Sequence, residues 1–214
     1  MTADESFALG RYGHVGDDVS DHGRKLFDQR FNTYMVRVLP GDYYVTGARD
    51  ETIVTVLGSC VAACIRNPYT GFGGMNHFML PESESGSWNG VSSALRYGNF
   101  AMEALINEVL KSGCRRVDLE IKLFGGASMG IGQSQVGNLN GAFARDYLAS
   151  EGLFLSSSDL GGSHGRRIHY CPATGKVQRR LLHDQNERQI VAEEDRYGKI
   201  LRTKNIEGDI ELFE

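Results

Sequence analysis

The sequence predicts an α+β fold of mixed α/β type, a layered sandwich in which two main helices pack on a largely antiparallel sheet. Short apolar or alternating runs separated by Gly and Pro dominate the first part of the chain after its N-terminal segment, which is typical of strands. Two longer stretches carry apolar residues at helical spacing, and each is followed by Gly, which commonly ends a helix. The order along the chain is strands, helix, strand, helix, strands.

The first predicted strands lie close together in the chain. Residues 34–39 and 43–46 are expected to form a strand pair around a Pro-Gly turn. Residues 53–56 are expected to form the strand that leads into the central part of the chain.

A thiol and an imidazole fall on the two strands of a predicted central hairpin. The apolar runs 60–65 and 75–80 are joined by a short turn rich in Gly and Pro, and strands joined in this way are expected to pair. Cys60 opens the first run and His77 lies in the second. Cross-strand pairing can bring the two side chains together near one end of the sheet.

Such a pair would give Cys60 the chemistry of a nucleophile. A free thiol with a pKa near 8.5 is only a few per cent thiolate at neutral pH, whereas a thiol beside a protonated His has a pKa of roughly 3.5–7.5. The sequence therefore predicts that His77 lowers the Cys60 pKa. The simpler alternative is that both are core residues, because free Cys is commonly buried and His often lies in a core as a satisfied polar group.

Two helices and further strands are predicted after the hairpin. The first helix ends at Gly113 and the second at Gly152. Between them, residues 117–123 alternate strictly between apolar and polar side chains, which predicts a half-buried strand. Residues 168–171 and 177–181 flank a Pro-Ala-Thr-Gly turn and predict a second hairpin.

The composition is that of an ordinary globular protein, with 41% hydrophobic and 23% charged residues among 214. No stretch approaches the roughly 20 apolar residues that span a bilayer, and the N-terminus has no basic segment followed by an apolar core. We therefore expect a cytoplasmic protein without membrane insertion. No basic patch indicates nucleic acid. Four Cys in a chain of this length do not indicate a disulfide scaffold. Cys60 and Cys64, which have CxxxC spacing, lack a second Cys pair for a structural zinc site.

The composition changes at both ends of the chain. Residues 1–31 are polar and rich in Asp and Gly, which predicts a loosely ordered N-terminal extension. Residues 183–214 contain nine acidic and five basic residues and so account for the net charge of −4. They predict an accessory acidic tail with helical potential at residues 187–197. The folded domain is expected at residues 32–182. Residues 1–31 and the residues after about Arg188 are expected to be dispensable for folding and chemistry.

Six short motifs follow one another between about residues 43 and 181. They are Leu57-Gly58-Ser59-Cys60-Val61-Ala62, Gly74-Met75-Asn76-His77-Phe78-Met79-Leu80-Pro81, Arg96-Tyr97-Gly98 with Ala101-Met102-Glu103, Lys122-Leu123-Phe124-Gly125-Gly126-Ala127, Asp159-Leu160-Gly161-Gly162 with Gly165-Arg166, and Thr174-Gly175. In this order they resemble the motifs of the CheD family, the chemoreceptor glutamine deamidases of bacterial chemotaxis. Six motifs in order are far more specific than any one of them.

The resemblance implies roles for three residues. In that family the Cys of the Leu-Gly-Ser-Cys motif is the nucleophile and the His before the Phe-Met-Leu-Pro strand is its base, so these roles fall on Cys60 and His77. The third family residue is a Thr, often six positions before the Cys, where this chain has Val54. The role is therefore carried to Thr55, five positions before.

The reaction implied by the resemblance is hydrolysis of a glutamine side chain. The Cys60 thiolate would attack the carboxamide of a chemoreceptor glutamine, backbone N–H groups near Ser59 would hold the oxyanion, and His77 would protonate the departing ammonia. Water would then hydrolyse the thioester to glutamate. The reaction requires no metal or organic cofactor, and receptor glutamyl methyl esters could follow the same route. A CheC-type phosphatase is a second implied partner.

Two glycine-rich turns are predicted to form the rim that admits the glutamine. Gly126 lies in the turn at residues 124–127 and Gly162 in the turn at residues 161–165. Both are predicted to bind substrate, because Gly lets one backbone approach another closely. A purely structural role in tight turns is the alternative.

Two functions of other classes remain open. The chain could be a binding module that docks on receptors or on a CheC-type phosphatase with little catalysis, which would not require Cys60. A thiol redox protein using Cys60 and Cys64 fits worse, because residues i and i+4 of a strand lie roughly 13 Å apart, too far for a disulfide. Cys64 is predicted to be a packing residue.

Overall fold

The structure of the protein is a computed structural model that describes residues 11–14, 24–80, 91–129, 134–183 and 185–203. Within these residues the elements are β1 (Arg11–His14), β2 (Lys25–Asp28), β3 (Thr33–Arg37), β4 (Asp42–Thr46), β5 (Glu51–Leu57), β6 (Val61–Arg66), β7 (Gly73–Asn76), α1 (Val91–Leu110), a 3-10 helix (Arg116–Asp118), β8 (Glu120–Gly125), α2 (Ser134–Ser150), β9 (Leu155–Leu160), β10 (Arg166–Cys171), β11 (Lys176–Leu181) and α3 (Gln185–Thr203).

The strands form two mainly antiparallel sheets. One sheet has the order β1-β4-β7-β6-β8-β9 and the other the order β11-β10-β5-β3-β2. A single hydrophobic cluster joins them, since it holds Ile53 and Ile168 of the second sheet together with Ala63 and Ile65 of the first. Helices α1 and α2 contact the first sheet. The α+β class and the layered arrangement are confirmed, and the strands divide into two sheets where the sequence analysis expected one.

The two main helices lie where apolar spacing predicts them. In α1 the apolar face is buried at Met102, Leu105 and Val109, and in α2 at Phe143 and Tyr147. Both helices pack on the sheet that carries β6 and β7. The central hairpin therefore packs against the helix layer. No helix in the described part of the chain is both long and apolar enough to cross a membrane.

The strands β3 and β4 do not pair with each other. β3 pairs with β2 and β5, whereas β4 pairs with β1 and β7. The predicted first strand pair is therefore wrong. Val38 N still donates to Val54 O in one sheet, and Gly41 N already donates to His77 O in the other. The Pro-Gly turn thus carries the chain between sheets, a choice made by tertiary partners and not by the local sequence.

The alternating run 117–123 begins three residues before the strand that it predicts. Residues Arg116–Asp118 form a 3-10 helix, and Val117 is 78% exposed. β8 begins at Glu120, and Ile121 and Leu123 are fully buried. Apolar and polar residues can also alternate in a segment that is not a strand, so the alternation does not mark the first residue of β8. The strand starts where pairing with β6 and β9 begins.

Parts of both terminal segments pack against the domain. β1 lies beside β4 and β2 beside β3. The helical potential at residues 187–197 is confirmed by α3, in which Ile190, Glu194 and Leu201 are buried. Residues 1–10, 15–23 and 204–214 lie outside the described residues, as does the segment 81–90. The division of the chain at residues 31 and 182 stays a prediction.

Candidate active site

The central hairpin of β6 and β7 brings Cys60 and His77 together. The bridge between Val61 and Phe78 continues the register of the hairpin, so His77 lies one diagonal step from Cys60 on the same face. The sulfur of Cys60 and a ring nitrogen of His77 lie within 4.8 Å of each other. Both residues are buried. The predicted hairpin and the predicted proximity of the two side chains are confirmed.

Thr55 on β5 contacts the imidazole of His77. β5 buries every second residue, so Thr55 points inward whereas Val54 lies on the opposite face. Thr55 Oγ1 lies 2.8 Å from His77 Nδ1 and donates to Val38 O at 2.8 Å. With its proton given to Val38, Oγ1 accepts from Nδ1–H. The proton on Nδ1 leaves the Nε2 lone pair free.

The second ring nitrogen of His77, Nε2, is not bonded to any group of the described residues. Nε2 is buried and has no hydrogen-bond partner there. An unpaired buried acceptor is costly, of the order of 1–3 kcal/mol, and therefore calls for an explanation. The nearby thiol of Cys60 supplies one, since Nε2 is the atom that could take its proton.

The loop before β6 is held by its carbonyl groups. Gly126 N donates to Cys60 O at 2.7 Å, and Ala127 N donates to Gly58 O at 2.8 Å. Asn140 Nδ2 on α2 donates to Ser59 O at 2.9 Å. All three carbonyls of the loop are thus tied down on one side. The three N–H groups of the same residues are left to point into the site.

These N–H groups converge on the carboxylate of Glu194, which comes from α3. Oε1 accepts from Gly58 N at 2.9 Å and from Cys60 N at 3.1 Å. Oε2 accepts from Ser59 N at 2.9 Å and from Ser59 Oγ at 2.7 Å. Four donors on one buried carboxylate make this loop an anion-binding site of the kind that stabilises an oxyanion.

Burial is the main influence on the protonation of the pair. It raises the pKa of Cys60 well above its ordinary value, and the charge and hydrogen bonding of Glu194 raise it further. Burial lowers the pKa of His77, although the charges of Glu194 and Asp42 act in the opposite direction. Both shifts favour the uncharged forms, a thiol on Cys60 and a neutral imidazole on His77. The expectation that His77 lowers the Cys60 pKa is therefore wrong for this conformation.

Cys60, His77 and Glu194 are also the residue types that bind zinc. Their ligand atoms lie within 4.8 Å of one another. Both carboxylate oxygens, however, already accept N–H donors, and the positive ends of those dipoles repel a cation. The donor geometry favours an anion at this place over a metal ion.

The predicted substrate-binding residues differ in where they lie. Ser59 is part of the anion-binding loop. Gly126 donates its N–H to Cys60 O of that loop. It has a φ of 65° and packs against Gly137 of α2. Gly162 O accepts from Ser128 N at 2.8 Å. Gly126 thus has the contacts of a positioning turn, and the role of these three residues in substrate binding stays a prediction.

Gly126→Ala is expected to lower the Tm by about 4 °C more than Gly152→Ala. Both glycines have nearly the same left-handed φ, 65° and 63°, but a Cβ at Gly126 would lie 2.8 Å from Gly137 O and one at Gly152 would meet nothing within 4 Å. The added clash should cost about 1–2 kcal/mol, which moves the Tm of a chain of this size by this amount. Thermal unfolding followed by circular dichroism measures both variants, and equal shifts would contradict the supporting role.

Three residues around the site have no predicted role in the sequence analysis. Asn140 lies on the apolar face of α2, and Glu194 lies between Ile190 and Tyr197 on the apolar face of α3. A polar residue on an apolar helical face is the available signal, because such a residue is buried only where partners satisfy it. The third, Arg166, is buried and donates to the carbonyls of Asp159 and Gly161.

Cys64 lies in the core, as predicted. It is fully buried on β6 and pairs with both neighbouring strands. Burial raises its pKa, whereas the Lys122 charge acts in the opposite direction. Cys60 and Cys64 are both free thiols. Nothing in this geometry supports a dithiol redox pair.

The chain is similar to known proteins along almost its whole length. The model of the family described as CheD chemotactic sensory transduction matches residues 79–181. A protein named probable chemoreceptor glutamine deamidase CheD from Herminiimonas arsenicoxydans is 47% identical over 87% of this chain and 93% of its own length. Proteins of the same name from Rhodopseudomonas palustris and Halorhodospira halophila are 44% and 41% identical, over 92% and 96% of this chain and 92% and 99% of their own lengths.

The similarity extends beyond the six motifs. The match with the Halorhodospira halophila protein leaves only about one twentieth of this chain outside it. Glu194 lies twenty residues before the end of the chain, so the match reaches the position of Glu194. The aligned region of this relative therefore includes residues that correspond to the segment carrying α3 up to Glu194.

Proposed function

Because the chain belongs to the CheD family, we propose that it is a chemoreceptor glutamine deamidase in which Cys60 is the nucleophile, His77 the base and Thr55 the residue that orients His77. The observation that carries the proposal is the proximity of His77 to the Cys60 thiol, with Nδ1 of His77 bonded to Thr55 and Nε2 left without a partner among the described residues. A thiol, a base and an orienting group are the parts of an activated nucleophile. Beside them lie three converging N–H groups.

The first half of the reaction forms a thioester. His77 Nε2 takes the thiol proton as Cys60 Sγ attacks the side-chain carbonyl carbon of the glutamine. The N–H groups of the loop at Gly58 to Cys60 hold the negative oxygen of the tetrahedral intermediate. The protonated imidazole then gives its proton to the amide nitrogen, so that the C–N bond breaks and ammonia leaves.

The second half hydrolyses the thioester. His77 removes a proton from water, whose oxygen attacks the thioester carbon while the same N–H groups hold the oxyanion. The C–S bond breaks, the sulfur regains its proton from His77, and glutamate is released. A glutamyl methyl ester would follow the same path with methanol as the leaving group. We include this ester hydrolysis in the proposal for that reason.

Incubation with the cytoplasmic domain of a chemoreceptor tests the function. Each deamidated glutamine should gain about one dalton, the difference between an NH2 and an OH group, and should take one oxygen from heavy-oxygen water. Acid quenching during turnover should trap the receptor segment on Cys60. If wild-type protein with a reactive Cys60 causes no mass gain, the chain is a docking module on receptors or on a CheC-type phosphatase, and the proposal fails.

Thr55→Val is expected to lower kcat by about 5- to 150-fold, whereas Thr55→Ser should retain most activity. The Val side chain takes away the acceptor of His77 Nδ1–H, so the imidazole is no longer held in one tautomer and orientation. A loss of about 1–3 kcal/mol of transition-state stabilisation corresponds to this range. Ser keeps the hydroxyl and is the matched control. Deamidation rates at saturating receptor measure both variants. Equal losses in the two variants would indicate that Thr55 acts only by packing.

We place the reaction in the cytoplasm, where the receptor domain that carries the modified glutamines is expected. A CheC-type phosphatase is proposed as a further partner on the basis of the family resemblance. Co-purification of the two proteins with a defined stoichiometry would support this partner. Two separate gel-filtration peaks at micromolar concentrations would count against it.

A further inference from the structure

In the described conformation α3 covers the site in which the reaction is proposed to occur. Cys60 is 0% exposed and His77 3%. Ile190 of α3 lies against Gly58 of the anion-binding loop and against Gly165. A glutamine side chain from another protein therefore has no path to the sulfur while α3 is in this position.

The buried face of α3 is continuous. Ile190, Glu194, Tyr197 and Leu201 recur at helical spacing, so they lie along one side of the helix. Ile190 packs in a small cluster with Met129, and Leu201 packs in the main core. The hydroxyl of Tyr197 bonds to that of Tyr97 on α1. Glu194 is the one carboxylate of this stripe, and it enters the anion-binding loop.

The bound side chain has the chemistry of the product. Deamidation converts a glutamine into a glutamate, and Glu194 is a glutamate with both oxygens on the N–H groups proposed to hold the oxyanion. Its carboxylate also lies within 4.8 Å of the nucleophile and the base. A carboxylate suits four donors better than a carboxamide does, because the NH2 group of a carboxamide would face an N–H group.

We infer that α3 is a tethered product analogue: Glu194 occupies the place of the glutamate formed from the receptor, and α3 must leave before a receptor helix can enter. The inference rests on the proposed function for the identity of the product. It adds a state of the enzyme that is closed by its own C-terminal helix. It also predicts the form of the substrate, a glutamine on a helix with an apolar residue one turn before it, as Ile190 precedes Glu194.

The open state should differ in the reactivity of Cys60. Departure of α3 removes the charge of Glu194 and admits water, and both changes lower the pKa of Cys60 from its raised value in the closed state. If about nine molecules in ten or more are in the closed state, reactions at Cys60 are about tenfold or more slower than in a protein that is always open. A substrate that competes with α3 sees its KM raised by the same factor, with kcat unchanged.

Replacement of Glu194 in the full-length chain tests the inference. Glu194→Ala should increase the rate of Cys60 alkylation by iodoacetamide at least about tenfold and lower the receptor KM by the same factor, with kcat unchanged. Glu193→Ala is the matched control, because Glu193 is the neighbouring acid, is 56% exposed and pairs only loosely with Arg37 at 3.8 Å. Mass spectrometry with fragmentation separates Cys60 from Cys64. An alkylation rate equal to that of the wild type would overturn the inference.

A second variant keeps the inference testable if Glu194→Ala does not fold. Glu194→Gln places a carboxamide on α3, so the chain becomes its own substrate. Position 194 should then gain about one dalton in a reaction that needs Cys60, and the double variant with Cys60→Ala should retain the carboxamide. A preparation that deamidates receptor but leaves position 194 unchanged would contradict the proposed placement of Glu194.

The outcomes separate this inference from the proposed function. Alkylation requires neither receptor nor turnover, so faster labelling of Glu194→Ala supports closure by α3 even if no receptor is deamidated. Receptor deamidation with equal labelling in wild type and Glu194→Ala supports the function and overturns closure. Labelling of the wild type that rises only when a chelator is added would show that a metal ion, and not the N–H groups, holds Glu194, and would also overturn the inference.

Discussion

Cys60→Ala is expected to reduce receptor deamidation by about 10³-fold or more, with no change in fold. The variant removes the only described thiol that lies beside both a free imidazole nitrogen and the anion-binding loop. The Ala side chain fits because it is smaller than Cys, and the hydrogen bonds of residue 60 are made by its backbone N–H and C=O, which the variant keeps. Deamidation is measured by the mass of receptor peptides at equal concentrations of folded protein.

Cys64→Ala is the matched control for this result. Cys64 has the same side chain and is also fully buried, four residues further along the same stretch of chain. Its loss removes a packing sulfur and is expected to lower stability modestly and leave kcat within about threefold. Comparable activity of the two variants would contradict the role of Cys60 as the nucleophile.

His77→Gln is expected to lower kcat/KM by about 10²- to 10⁴-fold, the usual contribution of a general base. Gln has similar polarity and can still bond to Thr55, but it cannot take a proton from Cys60. The loss should be present from neutral to mildly alkaline pH. It should shrink at high pH, where hydroxide removes the thiol proton without help. A variant with the wild-type rate at neutral pH would show that the free Nε2 has no part in the reaction.

The pH dependence of the wild-type enzyme should follow from the burial of His77. A base must be neutral to accept a proton, so activity falls as the pH falls and His77 becomes protonated. Burial lowers the His77 pKa below its ordinary value of about 6.5, so this loss should occur at a pH below about 6.5. The pH profile of kcat/KM measures it. An acid limb well above pH 6.5 would mean that another group titrates.

The central hairpin could be predicted from the sequence because its information is local. Two apolar runs and a turn rich in Gly and Pro lie within about 20 residues, and a short connection leaves few ways to pair. Pairing then determines the faces of the strands, which is why the proximity of Cys60 and His77 followed from the pattern. The helices α1 and α2 were predictable for the same reason, since helical spacing depends on residues only three and four positions apart.

The tertiary structure supplies the physical reason for choosing Thr55 over Val54. The family pattern points to the position of Val54, but β5 turns alternate side chains to opposite faces, and only Thr55 lies on the face toward His77. The pairing of β5 with β10 and β3 fixes that phase. The hydroxyl and the imidazole come from different sheets, so no local pattern contains their contact.

By itself the sequence determined the order of elements, the position of the nucleophile and base candidates on one hairpin, and the resemblance to one family, because each depends on neighbours in the chain. The tertiary structure alone decided that β3 and β4 belong to different sheets, that the Thr55 hydroxyl bonds to the imidazole of His77, and that Glu194, more than 130 positions from the loop it binds, fills the anion site. It also reversed the expected direction of the Cys60 pKa shift. Burial and the charge of a distant residue set that pKa, and both arise only when the chain is folded.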